Sequence, residues 1–147
     1  MGDFRFDAGD LFLDLLNTRP GGDEPDRLRT SDDLVRWMGG AGLIKAGDRP
    51  WRWNDKADPL VPRVKRLRER VRQQVEAMAA GRAADPDALR TLAAEAKGAP
   101  AGTDVHAPEE LYSVIARAAL ALLNKSPAGL RRQASPGGGT TWAYPVE

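Results

Sequence analysis

One stretch near the N-terminus mixes large apolar and polar side chains: Gly9-Asp10-Leu11-Phe12-Leu13-Asp14-Leu15-Leu16-Asn17-Thr18. Helical spacing, at about 100° per residue, gathers most of the apolar side chains on one arc, namely Leu11, Phe12, Leu15 and Leu16. It gathers the polar ones on another arc, namely Asp10, Asp14, Asn17 and Thr18. A carboxylate and a carboxamide three positions apart can both reach one ligand or one arginine. The polar arc is therefore either a solvated helix face or the wall of a polar pocket.

The composition indicates a single domain without metal or disulfide chemistry. A chain of 147 residues is long enough to bury roughly 70% of its unfolded surface. The absence of cysteine excludes disulfides, thiolate catalysis and cysteine-ligated zinc, and the single histidine, His106, would need carboxylate partners to hold a metal. We therefore expect no metal and no other cofactor. The formal charge of +1 does not by itself favour nucleic acid as a partner.

No segment has the pattern of a targeting signal or a membrane span. The apolar run over residues 11–16 is too short to cross a bilayer, and Asp14 interrupts it. We therefore expect a cytoplasmic protein with no membrane association.

Periodicity and capping signals predict about five helices in one domain, of which the third and the fifth form the core. Their expected limits are residues 9–18, 30–40, 59–78, 85–98 and 108–124. Short extended segments are expected at Phe4–Phe6 and in the tail, after a glycine-rich turn at residues 136–139. The predicted class is mainly α, an α+β arrangement with a small β element.

Arg68 has an unusual position on the long third helix. Projected around the helix axis at about 100° per residue, Arg68 falls inside the apolar arc, at an angle between those of Val61 and Val64. The other cations of the helix lie outside this arc. A buried, unpaired guanidinium costs several kcal/mol, so an inward Arg68 requires an anion, and Asp14 is an available carboxylate on another core helix. The alternative is that Arg68 buries its stem and extends its head into water. Arg117, on the narrow polar strip of the fifth helix, faces either solvent or the same polar site.

A second group of cations could contact phosphates. It comprises Arg63, Arg66 and Arg70 on the long helix, and Arg131 and Arg132 after the last helix. Charge runs of this kind are more commonly a solvated helix surface. The sequence contains no recognisable nucleophile–base pair, phosphate-binding loop or metal cluster, so we expect no enzymatic activity.

The N-terminal segment resembles the start of the ABATE domain of bacterial CGNR zinc-finger proteins. The shared motif F-x-F…G-x-L-x-L-D-x-x-N-T is carried by Phe4, Phe6, Gly9, Leu11, Leu13, Asp14, Asn17 and Thr18. Weaker matches occur at Leu34, Trp37, Gly42-Leu43, Leu67-Arg68-Glu69 and Ile115-Ala116-Arg117. The resemblance implies a stress-linked transcription regulator, with a helical domain that senses a small ligand and a C-terminal zinc finger that contacts nucleic acid.

The sequence departs from that family where the zinc finger would begin. The family segment L-R-x-C-x-x-x-x-C is matched by Leu130-Arg131-Arg132, but Gln133 and Gly138 occupy the cysteine positions. Neither residue supplies a thiolate, so the zinc site of the family cannot form. We predict an ABATE-like helical domain over residues 1–128 and a vestigial, cysteine-free remnant of the finger region over residues 129–147.

These observations lead to two hypotheses about function. The first is a non-enzymatic sensor domain that binds a small polar or anionic ligand; the candidate contacts are Asp14, Asn17, Thr18, Arg68 and Arg117. The second is nucleic-acid binding, including DNA, through the basic helix over residues 63–72 together with Arg131 and Arg132. A homodimer or a regulatory partner protein is a further expectation.

Overall fold

The computed structural model describes residues 11–19, 25–44, 60–99, 105, 108–124, 130–134 and 140–143. These parts form five α-helices, a 3-10 turn and two short strands. In chain order they are α1 (Leu11–Leu16), α2 (Ser31–Gly40), α3 (Leu60–Ala79), α4 (Pro86–Glu95), the 3-10 turn Ala96–Gly98, α5 (Pro108–Leu123), β1 (Arg131–Ala134) and β2 (Thr140–Ala143). The prediction of a mainly α fold with about five helices and a small β element is confirmed. The segment Phe4–Phe6, residues Gly9 and Asp10, and His106 lie outside the described residues.

Local capping interactions explain where the helices begin and end. At the start of α2, the Thr30 hydroxyl accepts a hydrogen bond of 3.2 Å from the Asp33 N–H, and the Asp33 carboxylate accepts one of 3.0 Å from the Thr30 N–H. This reciprocal capping box was predicted from the sequence. At the end of α3, Gly81 has φ of 85°, and the Arg82 N–H bonds to the Ala77 carbonyl at 2.8 Å. A left-handed glycine of this kind ends a helix in a Schellman motif.

The long helix α3 and the last helix α5 form the centre of the core, as predicted. The inward face of α3 is buried along its 20 residues, and α1 packs against both α3 and α5. The side chains of Val64, Leu67, Val71, Leu111 and Ile115 are all almost fully buried. No helix in the described part of the chain has the length and apolar character needed to cross a membrane.

Helix α1 ends two residues earlier than predicted, and it is more deeply buried. Five of its six residues are buried, including Asp14, while Asn17 and Thr18 lie in the turn that follows it. Thr18 is also buried. The interpretation of the polar arc as a solvated helix face is therefore wrong for Asp14 and Thr18.

The two strands form an antiparallel hairpin that packs on α1. Arg132 is in register with Trp142, and β2 contacts α1. The Trp142 side chain is 2% exposed and belongs to the same hydrophobic core as the helices. The division of the chain at residue 128, with a vestigial finger region after it, stays a prediction.

A close approach of two elements requires glycine at the end of the 3-10 turn. This turn and α4 both lie against α5. A Cβ atom added at Gly98 would lie 2.9 Å from the Oγ atom of the buried Ser113. Such a distance is too short for a real contact, so only glycine fits there without a shift of Ser113.

Candidate functional site

Arg68 is buried on the inner face of α3, with 1% of its surface exposed. Its Nε donates to Glu69 at 2.7 Å, and one terminal nitrogen donates to the Thr18 hydroxyl at 2.9 Å. The two terminal nitrogens also bind the two oxygens of the Asp26 carboxylate, at 3.0 and 2.7 Å. The prediction that Arg68 faces inward is confirmed, and the alternative in which its head reaches water is wrong.

Asp26, and not Asp14, is the carboxylate that faces the guanidinium of Arg68. A backbone hydrogen bond of 2.8 Å from the Arg27 N–H to the Thr18 carbonyl holds the 25–30 loop against the end of α1. Asp26 is thereby brought within reach of Arg68, and both of its carboxylate oxygens accept hydrogen bonds from the guanidinium. The predicted pairing of Arg68 with Asp14 is therefore corrected to Asp26.

Hydrogen bonds and nearby cations keep the Asp26 carboxyl ionised. Its Oδ1 also accepts the Leu28 N–H at 3.0 Å, and Lys65 Nζ lies 3.3 Å from its Oδ2. Burial raises the pKa of this carboxyl, but the hydrogen bonds from Arg68 and Leu28 and the charges of Arg68 and Lys65 outweigh it. The pKa of Asp26 therefore lies below its ordinary value of 3.8.

Glu69 is the second carboxylate beside Arg68, and it is shared by three arginines. Its oxygens lie 2.7 Å from Arg68, 2.9 Å from Arg72 and 2.9 Å from Arg19. Burial raises the pKa of the Glu69 carboxyl, and the hydrogen bonds and charges of Arg68 and Arg72 lower it by more. The result is a pKa below the ordinary value of 4.5.

One cation and one hydroxyl satisfy carbonyl groups at the C-terminal end of α1 and in the turn that follows it. The Thr18 hydroxyl donates to the Leu15 carbonyl at 2.6 Å. Arg72 donates to the carbonyls of Leu16 and Arg19, at 2.9 and 2.6 Å. Helix C-termini carry unpaired carbonyl groups and a partial negative charge, so both contacts stabilise the turn that holds Thr18.

These residues form one connected group, which we call the Arg68 cluster: Thr18, Arg19, Asp26, Lys65, Arg68, Glu69 and Arg72. Among these described residues, four cations face two carboxylates, a surplus of two positive charges. The cluster is half-buried, because Arg68 and Arg72 are shielded while Asp26 and Lys65 are partly open to solvent. A partly desolvated site with surplus positive charge is suited to a small anion.

Asn17 uses its carboxamide for a different contact. Its Nδ2 donates to the Trp142 carbonyl at 2.8 Å, and its Oδ1 accepts the Trp142 N–H at 2.8 Å. Of the five residues predicted to bind a ligand, the structure brings Thr18 and Arg68 together. It places Asn17 at the hairpin, Asp14 inside α1, and the half-buried Arg117 on α5.

Of the three α3 arginines predicted to contact phosphates, two already face carboxylates. Arg63 lies 3.5 Å from Glu109 and 4.5 Å from the centre of the Tyr112 ring. Arg70 bonds to Glu95 at 2.6 Å, and Arg66 is exposed on the helix surface. Arg131 and Arg132 lie on β1. The nucleic-acid hypothesis therefore stays a prediction that this arrangement does not strengthen.

Five residues of the Arg68 cluster are absent from the predicted ligand contacts: Arg19, Asp26, Lys65, Glu69 and Arg72. The spacing of Glu69 and Arg72, three positions apart on one helix, is a signal that could have identified that ion pair. Asp26 has no comparable signal, because its position depends on how the 25–30 loop folds back onto α1. No group of three or more histidine, aspartate or glutamate residues able to hold a metal ion occurs within the described ranges.

Comparison with known proteins agrees with the helical part of this architecture. The ABATE family model, described as "Putative stress-induced transcription regulator", matches residues 9–126. That span runs from α1 through α5 and covers more than half of the 147 residues. No curated protein and no solved structure matches the chain. The chain belongs to the ABATE family.

Proposed function

We propose that this ABATE-family protein is a regulatory, non-enzymatic sensor that binds a small anionic ligand at the Arg68 cluster. The observation that carries the proposal is the buried Arg68, whose terminal nitrogens are aligned for a two-oxygen anion within a group of surplus positive charge. The family description as a transcription regulator supports the regulatory role. We place this activity in the cytoplasm.

The surroundings of Arg68 favour an anion for electrostatic reasons. A guanidinium removed from water attracts a negative group more strongly than an exposed one does, because the local dielectric constant is lower. Bidentate arginine–anion contacts are also among the stronger hydrogen bonds in proteins. Lys65, with 36% of its side chain exposed, lies at the solvent side of the site. The proposal therefore requires that a dissolved molecule reach Arg68 past Lys65 and Asp26, two partly exposed members of the cluster.

The location of the cluster suits a regulatory role. It joins three parts of the chain, since Thr18 follows α1, Asp26 lies in the 25–30 loop and Arg68 belongs to α3. A ligand that changes these contacts would change how α1 and the loop sit on the long helix.

We propose Thr18 and Arg68 as the residues that contact the ligand. Asp14 and Arg117 stay predicted contacts, and DNA, a second copy of the chain and a partner protein stay predicted partners.

A panel of small carboxylates, phosphates and sulfate, tested by thermal shift and then by isothermal titration calorimetry, tests the proposal. We expect at least one compound to raise the melting temperature of the wild type. Its affinity should fall about tenfold or more in Arg68→Lys, because an ammonium group cannot form two parallel hydrogen bonds. Lys65→Ala should also weaken binding, since it removes one partly exposed cation.

Arg70→Ala is the matched control, because it removes a cation from the same helix whose partner, Glu95, lies outside the cluster. We expect unchanged affinity in this variant. Equal affinity for the wild type and Arg68→Lys would contradict the proposed site, and so would a panel in which no anion binds.

A further inference from the structure

We propose that Asp26 occupies the place of the ligand's own carboxylate. The ligand of the Arg68 cluster is then a small carboxylate-bearing molecule that binds by displacing Asp26. This inference rests on the proposed function, and it adds the chemical class of the ligand and the part of the protein that moves.

The first argument is the set of donors around the Asp26 carboxylate. Its Oδ1 accepts from Arg68 and from the Leu28 N–H, both at 3.0 Å. Its Oδ2 accepts from Arg68 at 2.7 Å and lies 3.3 Å from Lys65. The guanidinium therefore meets two oxygens of one planar group, the parallel geometry that a carboxylate ligand adopts with arginine. A phosphate brings further oxygens that lie outside this planar pairing and need protein donors or water.

The second argument is that Arg68 does not depend on Asp26 for its position. Its Nε bonds to Glu69 at 2.7 Å and a terminal nitrogen bonds to Thr18 at 2.9 Å. Both contacts persist if Asp26 leaves, so the guanidinium stays aimed at the same point. A binding group held in place by its own supporting contacts loses little conformational entropy when a ligand arrives.

The third argument is that Asp26 is the more exposed partner of the pair. It lies in the 25–30 loop, and its side chain is 19% exposed, compared with 1% for Arg68. Displacement exchanges one carboxylate for another, so the charge balance of the site is conserved. Because the intramolecular carboxylate competes at an effective concentration of roughly millimolar, it lowers the apparent affinity for a ligand.

Chemical rescue tests this inference with formate and acetate as the probes. Asp26→Ala removes the internal carboxylate, so the donor groups of Arg68, Lys65 and Leu28 lose their acceptor. We expect sodium acetate or formate to raise the melting temperature of this variant by about 3 °C more than sodium chloride of equal ionic strength. Sodium phosphate and sulfate, also at equal ionic strength, test tetrahedral anions.

Glu95→Ala is the matched control. It removes a carboxylate that also binds an arginine, at 2.6 Å, but that arginine, Arg70, is 45% exposed. A water-exposed guanidinium gains little from an added anion, so acetate should act on this variant as chloride does. If Asp26→Ala is not obtained folded, Asp26→Ser serves the same test, because its hydroxyl retains an acceptor for the Leu28 N–H.

The outcomes separate this inference from the proposed function. Rescue by acetate that exceeds rescue by chloride and phosphate, and that is absent in Glu95→Ala, supports the displacement of Asp26. A greater effect of phosphate or sulfate than of acetate overturns the carboxylate class while leaving an anion site at Arg68 in place. Equal effects of all salts overturn the inference, and the titration of wild type and Arg68→Lys then decides the proposed function by itself.

Discussion

Asn17 and Trp142 are 125 residues apart in the chain, and the side-chain amide of one bonds to both backbone groups of the other at 2.8 Å. The N–H and carbonyl of a single strand residue point towards the same edge of the strand. Asn17 therefore supplies to β2 the pair of hydrogen bonds that a further strand would supply. This contact, together with burial of the Trp142 side chain, attaches the hairpin to α1.

We expect Asn17→Ala to destabilise the protein by about 2 kcal/mol, because it leaves two backbone groups of Trp142 without their partners. Hydrogen exchange at the Trp142 amide should become faster. Asn17→Asp should have an intermediate effect on exchange, since it keeps the acceptor and loses the donor. Denaturant unfolding and amide exchange measure the two effects.

Asn124→Ala is the control for this prediction. Asn124 also donates from its side chain to a backbone carbonyl, that of Leu120, but it is exposed. Its removal should change the stability by no more than about 0.5 kcal/mol. A similar loss in both variants would show that Asn17 has no special role in holding the hairpin.

Loss of the buried arginine should cost far more than loss of an exposed one on the same helix. Arg68→Met keeps the length of the side chain but removes every hydrogen bond to Thr18, Asp26 and Glu69, so we expect about 3 kcal/mol of destabilisation. Arg70→Met breaks an ion pair with a partly exposed cation and should cost less than about 1 kcal/mol. Urea unfolding of the two variants checks the ranking, and equal costs would contradict it.

Stability should fall in acid because of Asp26 and Glu69. Both pKa values are lowered in the folded state, from 3.8 and 4.5. Each carboxylate therefore contributes stability that is present above its ordinary pKa and is lost as the pH falls through the folded value. We expect Asp26→Asn to be less stable than wild type at neutral pH, with the gap closing below about pH 4. Thermal melts from neutral pH to pH 2 measure this gap, and a constant gap would contradict the assignment.

The stability of the folded protein should fall at alkaline pH because of Tyr112. Burial, followed by the hydrogen bond to Glu95 and the charge of Glu95, raises the pKa of this phenol above 10.0. The contribution of the hydroxyl to stability is therefore complete below pH 10 and is lost as the pH rises through the folded pKa. Relative to Tyr112→Phe, the wild type should lose its advantage above about pH 10. Melts of both proteins between neutral pH and pH 11 test this, and an undiminished difference would contradict it.

The contact between the 3-10 turn and α5 should not tolerate a methyl group at Gly98. We expect Gly98→Ala to destabilise the protein by about 1 kcal/mol, because the added Cβ meets the Ser113 hydroxyl. Ser113→Ala should relieve most of this cost in the double variant, since the remaining Cβ of residue 113 would lie 3.7 Å away. A double-mutant cycle by denaturant unfolding measures the coupling, and additive effects would contradict the steric explanation.

The features set by local chemistry were predictable from the sequence. The capping box of Thr30 and Asp33 and the left-handed Gly81 need only neighbouring residues, and both occur as expected. The inward direction of Arg68 follows from helical periodicity alone. The requirement for a buried anion beside Arg68 follows in turn from the cost of an unpaired guanidinium.

The identity of that anion was not predictable in the same way. Asp26 lies 42 residues before Arg68 and is positioned by a loop, and a loop path leaves no periodic signal in the sequence. Asn17 was assigned to the polar pocket because helical spacing groups it with Asp14, but α1 ends at Leu16 and the following turn directs Asn17 to the hairpin. Helical spacing alone could not show that Asn17 and Thr18 belong to two different contacts.

The 125-residue separation of Asn17 and Trp142 also has a consequence for folding during synthesis. At about 5–20 residues per second, a ribosome needs roughly 6–25 s to extend the chain from one residue to the other. Throughout that interval, Asn17 lacks the backbone groups to which it binds in the finished protein. The turn that follows α1 therefore acquires this contact only after β2 has emerged, whereas the packing of α1 on α3 and α5 needs only the chain up to Leu123.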